Sequence, residues 1–255
     1  MTWLTEEGFA GTDPRVHYRM TGSGPFLIMV SGLWGRSAEW EPFGWVDALA
    51  PGYTLVMIDS RSYDSEVKPV KDGFYSMDSR ACDVLTVMDS LGIAKAHYFG
   101  YSMGGKMAYS LMGSNESRFL SYAILSSAPT QYSLKDWADY VGKHFPDTWE
   151  FPQETRLSDE FKRFFLSHDK ELLLAAVDDR NWPDRTEAFR ACRRNSLVIM
   201  GEKEPSEDLE TMRFGASLSD RCETRLIPGM DHQELVFHGE IVAPVVLEFL
   251  ERQHS

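Results

Sequence analysis

Ala96-His97-Tyr98-Phe99-Gly100-Tyr101-Ser102-Met103-Gly104-Gly105 is the stretch on which the fold turns. It opens as a short apolar run, Ala96–Gly100, and continues into a helix-compatible run, Met103–Met112. Between them Gly100, Ser102 and Gly104 make a G-x-S-x-G pattern. The pattern alone recurs by chance; its place between a strand and a helix is what gives it weight. A serine at so sharp a turn has its hydroxyl pushed out at the sheet edge. Small residues two before and two after let the turn pass close to neighbouring strands. The helix that follows offers N–H groups and a positive dipole end to developing negative charge.

Working outward, the same alternation repeats. Val16–Met20 reads as a strand and Gly22-Ser23-Gly24-Pro25 as a turn. Phe26–Val30 and Tyr53–Ile58 are continuous apolar runs, which suit strands buried on both faces. Ala81, Val84, Leu85, Met88 and Leu91 fall at helical spacing, with Ser76 as N-cap and Gly92 as stop. Leu120–Leu125 reads as a strand. From Gln131 to Asn195 no strand pattern is visible, only helix-like pieces at Leu134–His144, Ser158–Leu166 and Lys170–Ala176. The alternation then resumes with Ser196–Gly201, Glu207–Leu218, Thr224–Ile227 and a closing helix to Arg252. Pro244 belongs in the first turn of that helix, which places its start near Val242. The expected fold is α/β, a mostly parallel central sheet with helices on both faces. Residues 1–130 and 196–255 form its core, and residues 131–195 form a helical lid inserted at one sheet edge.

The 255 residues, 43% hydrophobic, are enough for a sizeable core and exclude disorder as the main character. Acidic residues outnumber basic ones 39 to 26, and a net charge of −13 repels nucleic acid and anionic membrane surfaces. The apolar runs fall far short of the ~20 residues of a membrane span. The acidic N-terminus has neither a basic nor an apolar signal region, so the expected location is cytoplasmic. Cys82, Cys192 and Cys222 are odd in number and widely spaced, which fits neither a disulfide framework nor a zinc site.

A serine nucleophile needs a base and an orienting acid. His232, in Gly229-Met230-Asp231-His232, follows the last strand and sits on an expected loop facing the serine turn. His17 and His97 fall within strands, His144 and His168 in the lid, and His254 at the terminus; His238 is the competitor. For the acid, Leu197–Gly201 runs into the turn Glu202-Lys203-Glu204-Pro205. Glu204 is the first choice, with Glu202 and Asp208 as alternatives. Asp231 adjoins His232, but adjacent side chains on an extended loop point apart.

Val30–Trp40, Asp59–Ser65, the serine turn, Gly201–Pro205 and Asp231–His232 together resemble the α/β-hydrolase fold superfamily, in its compact single-lid, carboxylesterase-like form. The resemblance covers nearly the whole chain. It implies the chain order Ser, acid, His, hence a Ser102, Glu204, His232 triad. It also implies an oxyanion hole from the backbone N–H groups of Leu33 and Met103. No metal or organic cofactor is required. Two departures stand out: Ser31-Gly32 where the family usually has His-Gly, and Asp59-Ser60-Arg61-Ser62-Tyr63-Asp64-Ser65 where it usually has two more glycines. A serine nucleophile argues against epoxide hydrolase and dehalogenase chemistry, which would need an aspartate there.

The lid is aromatic, with Trp137, Tyr140, Phe145, Trp149, Phe151, Phe161, Phe164, Phe165 and Trp182, and Trp34, Trp40 and Trp45 follow the oxyanion loop. At least half of these rings are expected to pack lid onto body. Trp34, Tyr101, Trp137 and Trp149 are the pocket candidates, for a small apolar ester or lactone. The leading reading is ester hydrolysis through an acyl-enzyme. Lactone opening, C–C bond hydrolysis or a lyase reaction on the same triad is the alternative, and a ligand receptor or silent interaction protein is the third.

Overall fold

Along Phe26–Val30 the side chains part company at every step: Leu27 and Met29 enter one core, Ile28 and Val30 another. Leu55 and Met57 of the next apolar run divide from Val56 and Ile58 in the same way. This period of two, apolar on both sides, is what a strand covered on both faces requires. The computed structural model describes residues 5–33, 35–61, 73–131, 133–151 and 159–253, apart from the side chains of Glu160, Phe161 and Phe164.

In chain order the elements are β1 (Glu6–Ala10), β2 (Val16–Gly22), β3 (Phe26–Val30), α1 (Trp45–Leu49), β4 (Thr54–Ile58), α2 (Met77–Ser90), β5 (Ala96–Tyr101) and α3 (Met103–Ser114). They continue with β6 (Phe119–Leu125), α4 (Lys135–His144), α5 (Asp159–Leu166), α6 (Lys170–Ala176), α7 (Thr186–Ala191) and β7 (Asn195–Gly201). The chain closes with α8 (Ser206–Ser217), β8 (Cys222–Ile227), α9 (His232–Phe237) and α10 (Gly239–Glu251). Among the described residues the strands form one eight-stranded sheet in the order β1-β2-β4-β3-β5-β6-β7-β8. β1 and β2 run antiparallel and the rest is parallel. α2, α3 and α8 cover one face; α1, α9 and α10 cover the other.

Several boundaries differ from the sequence expectation. β1 was not expected, because Glu6-Glu7-Gly8 is a polar start to an edge strand; it is held by pairing with β2. The short helices α1, α7 and α9 also escaped the pattern. α10 begins at Gly239, not near Val242, so Pro244 lies within the helix. Pro244 has no N–H to offer the Glu240 carbonyl one turn earlier, and Glu240 is an exposed residue. Trp40 and Trp45 are core residues, 1% and 0% exposed, packed on Phe99 at ring separations of 5.4 and 4.8 Å. The indole N–H of Trp45 donates to Val236 O at 2.8 Å, which ties α1 to α9.

Among the described residues the segment between β6 and β7 is helical. α4 starts where the Asp179 carboxylate accepts from Leu134 N–H at 2.7 Å. Among the described residues no helix is long and apolar enough to cross a membrane. Cys82 is exposed, and burial pushes the thiols of Cys192 and Cys222 up to about 11.

Candidate active site

The sharp turn between β5 and α3 is built by glycines. A side chain on Gly100 would collide with the backbone of Gly104, and one on Gly104 with the backbone of Val30. A side chain on Gly105 would come within 2.7 Å of Ser127 Cβ. So tight a passage leaves Ser102 at φ 52 and ψ −110, in the left-handed half of backbone space that non-glycine residues rarely enter. Its N–H donates to Leu125 O at 2.8 Å, which fixes the turn to the end of β6.

The oxyanion-loop candidates flank this serine. Met103 is the first residue of α3. Gly104 N–H donates to Ser31 O at 3.1 Å, joining α3 to the loop after β3. A side chain on Gly32 would lie 2.9 Å from the Tyr101 ring and 3.3 Å from Ser102 Cβ, so the chain at Gly32 passes directly over the Ser102 turn. Ser31 is buried and fills the space beside Gly35. Trp34 and the altered Ser62–Ser65 loop lie outside the described residues. What is described of that loop is held firmly. Asp59 accepts from Ser37 N–H at 2.5 Å, and the Arg61 guanidinium forks onto Asp83 at 2.7 and 2.5 Å.

His232 is brought to the serine by the far end of the chain. It is the first residue of α9, not a loop residue, and Asp231 is the N-cap, accepting from Gln233 and Glu234 N–H at 2.9 and 2.8 Å. The capping role turns Asp231 away from acid duty. His232 Nε2 lies 3.1 Å from Ser102 Oγ. The Tyr101 hydroxyl donates to His232 O at 3.0 Å, and the two rings sit 5.1 Å apart. Burial holds the Tyr101 hydroxyl far above the ordinary phenol range.

Glu204 is nearly fully buried in the turn after β7. Gly201 lets the Met230–Asp231 backbone approach, and Lys203 N–H donates to Met230 O at 2.8 Å. The turn carrying Glu204 is thereby stitched to the one carrying His232. Glu204 Oε2 is 3.5 Å from His232 Nδ1, too far for a good hydrogen bond. Between them stands Ser126, whose hydroxyl donates to Glu204 Oε1 and lies 2.5 Å from His232 Nδ1. Sequence reasoning missed Ser126. The available signal was its place at the C-terminal end of a parallel strand, where such folds gather their site residues. Glu202 points elsewhere and accepts from Gly229 N–H at 2.8 Å. Asp208 lines the cavity beside the serine. His238, the competing histidine, pairs with Glu240 at 3.1 Å.

Two cavities lie beside the serine turn, and Ser102 lines the larger of them. The larger, about 430 Å³, is lined by Ser102, His232, Leu33, Lys106, Asp208 and Trp182, with Trp137 at its edge. The smaller, about 180 Å³, is walled by Trp137, Trp149, Phe151, Phe165 and Phe237 and meets the first at Tyr101 and Leu33. Tyr101, Trp137 and Trp149 thus all lie on cavity walls. Lys106 is a second residue that sequence reasoning missed. Its ammonium donates to Pro129 O at 3.1 Å and to Thr130 O, and burial lowers its pKa to about 7 against the pull of Asp184. Glu39, in the wall of the smaller cavity, is pushed up to about 7 by burial, opposed by donors from Arg36. Among the described residues no cluster of His, Cys, Asp and Glu fits a metal ion.

Comparison with known proteins agrees with this architecture. The family model for the α/β hydrolase fold matches residues 25–196. A Caulobacter vibrioides protein named as carbamate hydrolase RutD is 31% identical over 253 residues, covering 90% of each chain. Its Caulobacter segnis counterpart is 35% identical over 100 residues, covering 39% of this chain and only 37% of that protein's length. Among solved structures, the enol-lactonase of Burkholderia xenovorans LB400 superposes with a TM-score of 0.81 at 20% identity, covering 96% of this chain and 100% of that one. At that identity the likeness concerns the fold.

Proposed function

The chain belongs to the α/β-hydrolase fold family, and from that premise we propose that it is a serine hydrolase cleaving small to medium apolar carboxylic esters. The observation that carries the reading is the 3.1 Å approach of His232 Nε2 to Ser102 Oγ in the wall of the larger cavity. His232 Nε2 takes the Ser102 proton as Oγ attacks the substrate carbonyl. Leu33 and Met103 N–H groups receive the oxyanion, and the imidazolium returns its proton to the leaving group. Water then attacks the acyl-enzyme by the same route. Glu204 supplies the negative charge that steadies the imidazolium. The helical segment 131–195 acts as the lid, with Trp137 and Trp149 placing an apolar substituent in the smaller cavity.

The test is labelling by a fluorophosphonate probe, with the modified peptide located by mass spectrometry, alongside hydrolysis of p-nitrophenyl esters of graded acyl length. Labelling confined to Ser102 and ester turnover support the reading; a folded but unlabelled protein overturns it and moves the receptor reading forward.

A second substrate class is favoured by one observation, the 90% coverage of a relative named as a carbamate hydrolase. A carbamate offers the same attackable carbonyl with nitrogen on one side. Ammonia release from an unsubstituted carbamate, faster than turnover of any ester in the panel, would select it. A lactone and a β-diketone complete the panel and test ring opening and C–C cleavage.

A further inference from the structure

Ser126 is the first residue after β6 and is held at φ 54, a conformation that serine adopts only under constraint from its surroundings. Its N–H donates to Ile199 O at 2.8 Å, which anchors it to β7, and it is 5% exposed. The hydroxyl has two partners: the Glu204 carboxylate on one side and Nδ1 of His232, 2.5 Å away, on the other. Direct contact between Glu204 and His232 is 3.5 Å. The geometry points to Ser126 as a positioning residue, an intervening hydroxyl through which Glu204 sets the tautomer and orientation of His232. The inference rests on the serine-hydrolase reading above.

Proton counting gives it direction. An ionised carboxylate only accepts, so the one hydrogen of Ser126 faces a choice between Glu204 Oε1 and His232 Nδ1. The charge-assisted bond to the carboxylate wins. Ser126 Oγ then presents only lone pairs to the imidazole, and Nδ1 must carry the hydrogen. With Nδ1 protonated, Nε2 is left as an acceptor facing Ser102, which is the form a general base needs. When Nε2 takes the Ser102 proton, the Nδ1 hydrogen stays on Nδ1 and the Ser126 hydrogen stays on Ser126. No proton crosses to Glu204. Its negative charge, on a carboxylate that is itself buried, acts on the partly exposed imidazolium through an oriented O–H dipole.

The strained backbone belongs to the same device. It turns the side chain of Ser126 out of the strand line and into the gap between Glu204 and His232. A glycine adopts φ 54 without strain while removing the whole CH2OH group, and an alanine removes the hydroxyl alone but keeps the backbone strain, so Ser126→Gly and Ser126→Ala are made as a pair.

Two readouts test the assignment. The first is the rate at which Ser102 Oγ attacks the fluorophosphonate phosphorus and expels fluoride in wild type, Ser126→Gly, Glu204→Gln and the double variant. Ser126→Gly is expected to slow labelling by about 10²-fold, and ester turnover to lose kcat with KM nearly unchanged. In the Glu204→Gln background the same substitution is expected to do little, because both residues act through one chain. The second is the ¹⁵N spectrum of His232. Wild type is expected to show a hydrogen on Nδ1, and Ser126→Gly a mixture of tautomers. A Ser126→Gly protein that labels at the wild-type rate, or whose His232 spectrum is unchanged, overturns the proposal. If Ser102 of the wild type is never labelled but the tautomer still follows Ser126, the hydrolase reading falls and the positioning role stands.

Discussion

Ser102 and Ser126 end neighbouring parallel strands, β5 and β6, at φ 52 and φ 54, and each approaches one nitrogen of the same histidine. The resemblance stops there. Ser102 is followed at once by α3 and is framed by Gly100, Gly104 and Gly105, and it lines the larger cavity. Ser126 is followed by the irregular stretch Ser127-Ala128-Pro129, has no glycine frame, and faces buried Glu204. The same backbone strain at two strand ends is thus directed to two ends. Where the turn opens toward a helix N-terminus and a cavity, the serine is the proposed nucleophile. Where it closes on a carboxylate, the serine is set to hold. The contrast teaches that an unusual φ marks a residue whose surroundings over-determine it, and that the chemistry follows from what its hydroxyl meets.

The largest expected effect breaks the pair on its reactive side. Ser102→Ala is expected to lower ester turnover by about 10⁶-fold and to leave the folded state intact, since the deleted hydroxyl faces a cavity. Initial rates beside a circular dichroism melt check both parts. Glu204→Gln comes next, on the holding side. An amide can donate to Ser126, which frees the serine hydrogen to turn toward Nδ1 and favours the wrong tautomer of His232. A fall in kcat of about 10²–10³-fold is expected. Steady-state kinetics in which Glu204→Gln matches wild type while Asp208→Asn is dead would move the acid role to Asp208.

The two strand ends also differ in how openly the sequence announced them. The nucleophile turn is local: three glycines, a serine, an apolar run before and a helix after lie within about ten residues, and close packing leaves such a turn few alternatives. Ser126 carries no local mark, because its importance arises from β6 and β7 lying side by side and bringing residues 126, 204 and 232 together. Only pairing across the sheet creates that meeting. The start of α9 is an intermediate case. Asp231-His232-Gln233-Glu234 contains a capping box, and its two reciprocal bonds are made in the structure. The pattern that would have placed His232 on a helix was therefore present in the sequence, masked by the brevity of the helix. β1 was hidden for a different reason: a polar edge strand has no hydrophobic period to read.

A third prediction asks whether the glycine frame is peculiar to the Ser102 side. A Cβ on Gly104 meets the backbone of Val30, which cannot swing aside as a side chain could. Gly104→Ala is expected to destabilise the fold by about 1–3 kcal/mol, read as a Tm lowered by several degrees, with labelling of Ser102 lost or slowed. Ser127→Ala, at the residue after Ser126, keeps the Cβ that packs on Gly105 and is expected to shift Tm far less. Equal losses at the two positions would erase the distinction between the strand ends.

The smallest effect uses a third strand end, outside the line to His232, as a control. Asp59 closes β4 with its carboxylate on Ser37 N–H and on His17 Nδ1, 2.8 Å away. The hydrogen bond that His17 Nδ1 donates to Asp59, set against the cost of burial, raises the His17 pKa above its ordinary value. The protonated imidazole is therefore bound more tightly by the folded state than by the unfolded one. Its contribution to stability is complete below the unfolded value of ~6.5 and is lost as pH rises through the higher folded value. Because the pair is partly solvated, the amount is expected to stay below about 1 kcal/mol. Melting wild type and His17→Gln from pH 5.5 to 8.5 should show a wild-type advantage at the acid end that shrinks toward the alkaline end, with Ser102 labelling at a fixed pH unchanged. An advantage that grows with pH would reverse the sign assigned to His17. A loss of labelling would mean that the end of β4 reaches the reacting serine through the Ser37 loop, and that the catalytic line is longer than the two strand ends compared above.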